Sequence, residues 1–370
     1  MRYNQLKYFA SKLDTNFRGR SLDEKIVIFE SDDWGAIRMP SKHVRDLLIK
    51  IGVNLNEEIY SMFDGLESND DVNILANVIS NYQDQFGGHP IFTLNSVVAN
   101  PDFEGIRSCN FQIYSYENIR ETYSNYANSN SVLKDIIQRT EEGIFCPQFH
   151  GREHVNVNLW LKLLNLGNPD FIAAFDNNVF GLNRGATIDH NKHIQATYDE
   201  RDRDFVYESI STGLRMFEDV FGFKSQTFIP NNYIWDTDWN DMLHEGGVSS
   251  IQGMKYLLNP IQGHGQRQKM RLHNGMRSSN LMYTVRNIDF EPTEKLYSLN
   301  RSLMEIKLSF LLKKPAIIST HRLNYTSRVT TQVRDNGIKQ LELLLKGILR
   351  RWPDVKFMSS PQYSDYLQNV

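Results

Sequence analysis

The feature of this 370-residue sequence that most limits its fold is the recurrence of short apolar, β-rich runs between longer helical or irregular segments. The runs fall at 25–30, 90–95, 144–149, 171–175, 227–230, 248–252, 316–320 and 355–359, with 281–285 as a further candidate. Continuous apolar runs of this length suit strands buried on both faces. Between them, apolar residues recur at three and four positions over 43–51, 71–82, 116–126, 155–166, 204–221 and 335–351, which predicts helices with one buried stripe. Such alternation predicts an α/β fold around a parallel sheet, open or closed into a barrel. We expect one enlarged domain over 1–370, with insertions around 50–90 and 177–210 and the first ~20 residues peripheral.

In sheets of this kind, reactive groups collect where strands end at their C-terminal edge. Asp32 and Asp33 follow the first run, His150 the third, Asp176 the fourth, Asn231 and Asn232 the fifth, and His321 the run that ends at Thr320. The polar residues with useful chemistry are thus expected at one end of the sheet.

Composition removes several alternatives. Forty-one Lys and Arg against 44 Asp and Glu give a formal net charge of −3, so no global field draws the protein to nucleic acid or an anionic membrane. The basic stretch 267–277 reads as a solvated loop, with the lining of a groove for an acidic glycan as the alternative. Two cysteines, Cys109 and Cys146, are too few for a disulfide framework and suit a reducing compartment. The N-terminus has no apolar run of signal-peptide length, and no stretch approaches the ~20 apolar residues of a membrane span. The expected location is therefore cytoplasmic, which suits a nucleotide- or lipid-linked sugar or a glycan precursor as substrate.

The strongest local signal is His150-Gly-Arg-Glu-His154. On one helical turn, two imidazoles four apart present both rings to the same point, which is metal-ligand spacing. Ten histidines in 370 residues produce such a pair by chance roughly 0.3 times, so the spacing gains weight from its place at a strand end. The bland alternative is a pair of exposed or core-satisfied histidines. Glu153 does not make a zinc-protease motif, because Gly151 stands where that motif has its glutamate. Asp32 and Asp33 lie directly after an apolar strand and before Trp34-Gly35. Desolvation against Trp34 and a nearby cation would keep one carboxylate anionic for a metal and tune the other as a base. Asp189-His-Asn-Lys-His193 is a rival cluster, but its histidines lie three apart in a polar stretch with no strand before it. Trp235-Asp-Thr-Asp-Trp239 reads as the start of a surface helix, with a platform for sugar rings as the alternative.

The ordered set Ser31-Asp-Asp-Trp-Gly35, His150-x-x-x-His154 and Ile318-Ser-Thr-His321 resembles the polysaccharide deacetylase family, carbohydrate esterase family four, and its spread covers nearly the whole chain. The resemblance implies a distorted (β/α) barrel that removes an N- or O-acetyl group from a carbohydrate. It implies one divalent ion, zinc first with cobalt, nickel or manganese as alternatives, on Asp33, His150 and His154. It further implies Asp32 as general base, His321 as general acid, and a backbone N–H near Asn231 for the oxyanion, with Trp34 and Trp235 as residues beside the substrate. One segment departs from the family: in Thr227-Phe-Ile-Pro-Asn-Asn-Tyr233, Phe228 stands where the family has an arginine that supports the base, and Asn231 where it has an aromatic residue. Arg152 and Arg322 are the candidates to replace that arginine. Two other readings remain. One is a metal-independent glycoside hydrolase on a related barrel, with Asp32 or Asp33 acting beside a second carboxylate such as Asp176 or Asp236. The other is a carbohydrate-binding homologue that has lost turnover.

Overall fold

The computed structural model describes residues 3–55, 59–182, 194–196, 198, 202–261 and 266–369. The rival histidine cluster at 189–193 and much of the second expected insertion lie outside the described residues.

The architecture is mixed α/β around a central ten-stranded sheet. In chain order its strands are β1 (Lys25–Trp34), β2 (Phe92–Ser96), β3 (Phe145–Phe149), β4 (Thr227–Phe228), β5 (Ser250–Gly253), β6 (Met276–Ser278), β7 (Leu281–Val285), β8 (Ile288–Asp289), β9 (Ala316–His321) and β10 (Val355–Phe357). Their order in space is β6-β7-β5-β4-β3-β2-β1-β9-β8, and β10 pairs with the start of β1. Every pairing is parallel except β6 with β7. The first five residues of β1 after Lys25 are wholly buried, as a parallel strand covered on both faces must be.

β7 and β8 stand near opposite ends of this order, yet only Arg286 and Asn287 separate them in the chain. The Arg286 N–H donates to the Gly253 carbonyl at the end of β5 (2.9 Å), and the Asn287 N–H to the Ile317 carbonyl of β9 (3.2 Å). One extended segment therefore pairs with β5 in its first half and with β9 in its second. The succession of pairings returns on itself at Arg286-Asn287.

Among the described residues, buried apolar side chains fall into three clusters, the smallest around Ile26, Ile28, Ile317 and Tyr363. The largest joins interior residues such as Phe29 and Phe92, stacked at 4.8 Å, to the helices Arg203–Phe221 and Thr331–Arg351. The second gathers Leu48, Val53 and Leu55 with Trp160, Phe171, Phe175 and Phe180. The run at 171–175 belongs to this second cluster as a helix, Pro169–Phe175, and not as a strand. Asn168 caps it by accepting from the Asp170 and Phe171 N–H groups, and proline occupies its first turn. A five-residue apolar run has no period of its own, so the cap decides. Along 116–126 a short strand, Tyr116–Asn118, precedes the helix Ile119–Asn125. The basic stretch is partly structural: Arg271 ends the hairpin strand Gln266–Arg271 and binds Asp14 at 2.6 Å. Among the described residues, no helix is long and apolar enough to cross a membrane.

Candidate metal centre

The C-terminal ends of the strands converge as the sequence predicts, and one dihedral makes the convergence productive. In a regular strand Asp32 and Asp33 would face opposite sides of the sheet. Asp33 instead takes φ 75°, and the pairing of β1 with β2 shifts register between Ser31 and Trp34. A left-handed residue at a bulge costs roughly 1–3 kcal/mol and re-aims the side chain. Asp33 thereby turns to the histidines, while Asp32 stays with Asn95 and Arg286.

Asp33 Oδ1 lies 3.4 Å from His150 Nε2 and 3.3 Å from His154 Nε2. All three residues are buried, and one donor atom of each falls within 4.8 Å of the others. Tetrahedral coordination with bonds of about 2.0–2.1 Å requires donors about 3.3–3.4 Å apart, so these separations fit a zinc-like ion. The donor states fit as well. His150 Nδ1 is 2.8 Å from the Ile229 carbonyl, which only accepts, so the proton sits on Nδ1 and Nε2 presents a lone pair. Burial, reinforced by Arg38 and His150, lowers the His154 pKa to about 3, so its imidazole is neutral and able to ligate. Burial opposes the charge of Asp33, but the Arg38 guanidinium, 3.0 Å from Oδ2, holds its pKa well below the usual carboxylate range. The histidine pair does not lie on a helical turn. Residues 150–156 form a loop that Gly151 (φ 109°) turns, and the helix Val157–Asn165 begins only after the Asn156 cap. The loop brings the two ring centroids to 5.0 Å.

Asp32 is gripped by a cation, and that cation is neither Arg152 nor Arg322. Arg152 pairs with Glu153 at 2.6 Å and stacks on Tyr116, and Arg322 pairs with Asp64 at 2.8 Å and Glu67 at 2.9 Å. The guanidinium on Asp32 is that of Arg286, at the joint of β7 and β8. Its Nη1 and Nη2 reach the two carboxylate oxygens at 2.5 and 2.7 Å, and its Nε reaches Glu30 at 2.6 Å. Asn95, near the end of β2, donates to Asp32 Oδ1 at 2.8 Å. Burial works against the charge of Asp32, yet Arg286, with His321, keeps its pKa below the ordinary value.

His321 closes the arrangement, with Nε2 3.8 Å from Asp32 Oδ2 and Nδ1 2.6 Å from Glu291 Oε1. The Tyr60 hydroxyl lies 3.1 Å from the same Nδ1. Burial opposes the imidazolium, but Glu291, Asp33 and Asp32 outweigh it and raise the His321 pKa to about 9. Asn324 holds Glu291 from the other side at 2.7 Å. Glu30, Asp32, Asp33, Asp64, Glu67 and Glu291 thus lie in one buried network with Arg38, Arg286, Arg322 and His321.

The remaining expected residues are placed as follows. The Asn231 side chain donates to the His150 carbonyl at 3.1 Å, directly behind the candidate ligand. Trp34 and Trp235 are core residues, 1% and 3% exposed, with their indole N–H groups spent on Ser31 and Asn240; neither offers a face to a sugar. Asp176 lies at a helix C-terminus and pairs on the surface with Arg107. Asp236 is occupied by Arg203 and by the Asp238 N–H. Both candidate second carboxylates of the glycosidase reading are thus engaged in ion pairs of their own. Arg286, Glu291, Arg38 and Tyr60 were not singled out from the sequence. Arg286 had a usable signal, since it directly follows the 281–285 run.

No family model matches the sequence, and no curated protein does. Solved structures do. The 4-α-glucanotransferase of Thermococcus litoralis matches at 11% identity and a TM-score of 0.45, over 94% of this chain and 41% of its own, so this chain spans about two fifths of that protein. The Xyl-CE4 domain of a multidomain xylanase from the hindgut metagenome of Trinervitermes trinervoides matches at 8% identity and a TM-score of 0.39, over 94% of this chain and 93% of its own. A polysaccharide deacetylase from Bacillus cereus matches at 10% identity and a TM-score of 0.32, over 78% and 69%. Polysaccharide deacetylases thus stand among the solved structures that this chain resembles, at identities and TM-scores that assign neither family nor activity.

Proposed function

We propose that the chain is a metal-dependent hydrolase that removes an acetyl group, carried on nitrogen or oxygen, from a carbohydrate. The observation that carries this reading is the Asp33, His150 and His154 donor set at tetrahedral spacing, beside an ionised Asp32 and a protonated His321. One metal site, one base and one acid suffice for assisted hydrolysis. A divalent ion bound by the three donors polarises a carbonyl and lowers the pKa of water. Asp32 accepts the proton of the attacking water, its carboxylate held in place by Arg286 and Asn95. His321 carries a proton on the nitrogen facing Asp32 and delivers it to the departing amine or alkoxide, with Glu291 orienting the ring through Nδ1. The carbohydrate and the acetyl group rest on the resemblance of the three motifs, Ser31 to Gly35, His150 to His154 and Ile318 to His321.

The test is elemental analysis of purified wild type and His150→Ala, followed by assay of acetate release from acetylated glycans. About one equivalent of a zinc-like ion is expected, lost in the variant together with acetate release. Wild type that takes up no ion from added zinc, or a variant that keeps full activity, refutes the reading.

A further inference from the structure

The N-terminal helix Tyr3–Phe17 has no part in the reaction above, yet its polar side chains end on the residues just beyond Arg286. Lys12 Nζ donates to the Asn287 carbonyl at 3.0 Å and pairs with Asp289 at 2.8 Å. Asn16 Oδ1 accepts from Asn287 Nδ2 at 2.7 Å, and the Tyr8 hydroxyl donates to Asp289 at 3.0 Å. Lys12, Asn16 and Asn287 are 8%, 3% and 1% exposed, so these bonds lie in the protein interior, where an ammonium is kept only for a strong partner.

What the helix holds is the joint of the ring. At Arg286 the backbone ladder to Gly253 ends, and at Asn287 the ladder to Ile317 begins. A residue at such a change of partner has a regular neighbour on one side only, and its direction depends on what fixes the next residue. Asn287 is fixed completely: its side chain also donates to Ser309 at 3.1 Å and Pro315 at 2.8 Å and accepts from the Ile317 N–H at 2.9 Å. Arg286 in turn must fork onto Asp32 and reach Glu30 with bonds of 2.5 to 2.7 Å, a placement that tolerates little rotation of its backbone.

We propose that the N-terminal helix is a positioning element for the reaction centre: Lys12 and Asn16 hold Asn287, Asn287 aims Arg286, and Arg286 holds Asp32. The mechanistic consequence rests on the function proposed above; the mechanical link from helix to Arg286 does not. The whole 370-residue chain is compared as wild type, Asn16→Ala, Lys12→Met and Lys12→Arg. Exchange of the Arg286 Nε–H is followed by NMR, the signal being assigned by its loss in Arg286→Lys. Asn16→Ala and Lys12→Met are expected to speed this exchange about tenfold, with Lys12→Arg near wild type and zinc stoichiometry unchanged. With p-nitrophenyl acetate as probe, kcat falls about tenfold while KM holds, the effect of a sub-ångström misplacement. Wild-type exchange at Arg286 in both Asn16→Ala and Lys12→Met overturns the proposal, whatever their melting temperatures. If the ester is not turned over by wild type, the function is at fault, and the exchange rates still decide the link.

Discussion

Asp32 and Asp33 are neighbours in sequence but not in environment, because φ 75° at Asp33 sends one carboxylate to Arg286 and Asn95 and the other to His150, His154 and Arg38. Asp32→Asn is therefore expected to keep the ion while the rate falls about 10²- to 10⁴-fold, the usual worth of a proton-transfer group; metal analysis and acetate release on the same preparation check both halves. Arg286→Met leaves Asp32 and Glu30 buried without their cation, and breaking a buried pair in this way costs about 3–5 kcal/mol, read by urea denaturation. His321 should titrate at about 9 in metal-free protein, raised despite burial by Glu291, Asp33 and Asp32. Its protonated form then contributes stability fully below the ordinary imidazole value of about 6.5, and that contribution disappears as pH rises through about 9. An NMR titration near 6.5, or no downward shift in Glu291→Gln, would remove Glu291 from its assigned place.

Among the elements, the long helix Thr331–Arg351 presses closest on the site. A Cβ on Gly337 would stand 1.7 Å from the Asn324 carbonyl, in the turn Arg322–Tyr325 that follows His321 and supplies the bond to Glu291. Gly337→Ala is expected to destabilise by about 1–3 kcal/mol and to lower the His321 pKa, since the turn has to yield. The strands that carry Asp32 and His321 and the one that ends just before His150 were legible because buried apolar runs have few other places to go, and β-branched residues mark the first two. The run at 171–175 was not, because Asn168-Pro169 overrides an apolar stretch too short to have a period. Arg286 was within reach of the same strand-end rule, but the weak 281–285 run gave it little weight. Glu291 was hidden by the break at 286–287, and the burial of Trp34 and Trp235 depends on which face of the chain packs inward, which no local spacing reveals.

At the scale of the whole molecule, Asp33, His150 and His154 bring one donor atom each within 4.8 Å in the buried interior, where an ion would tie together the ends of two strands. Zinc should therefore act on stability as well as on rate. At a free concentration of 100 times its dissociation constant, a ligand specific for the folded state stabilises it by about 2.7 kcal/mol. Scanning calorimetry with zinc and with chelator should show that gain in wild type, and its disappearance in His154→Ala.

The split segment that joins the ends of the sheet also sets an order of events during synthesis. Asp32 emerges early, but its guanidinium lies 254 residues later and its imidazole partner 289 residues later. Contacts of such separation form late, after most of the loop entropy has been paid. A growing chain that has reached residue 285 already has both aspartates and both candidate ligand histidines, but neither Arg286 nor His321 to set beside Asp32. The proposed base and acid can therefore meet only after the segment that follows residue 285 has been made and packed between Gly253 and Ile317.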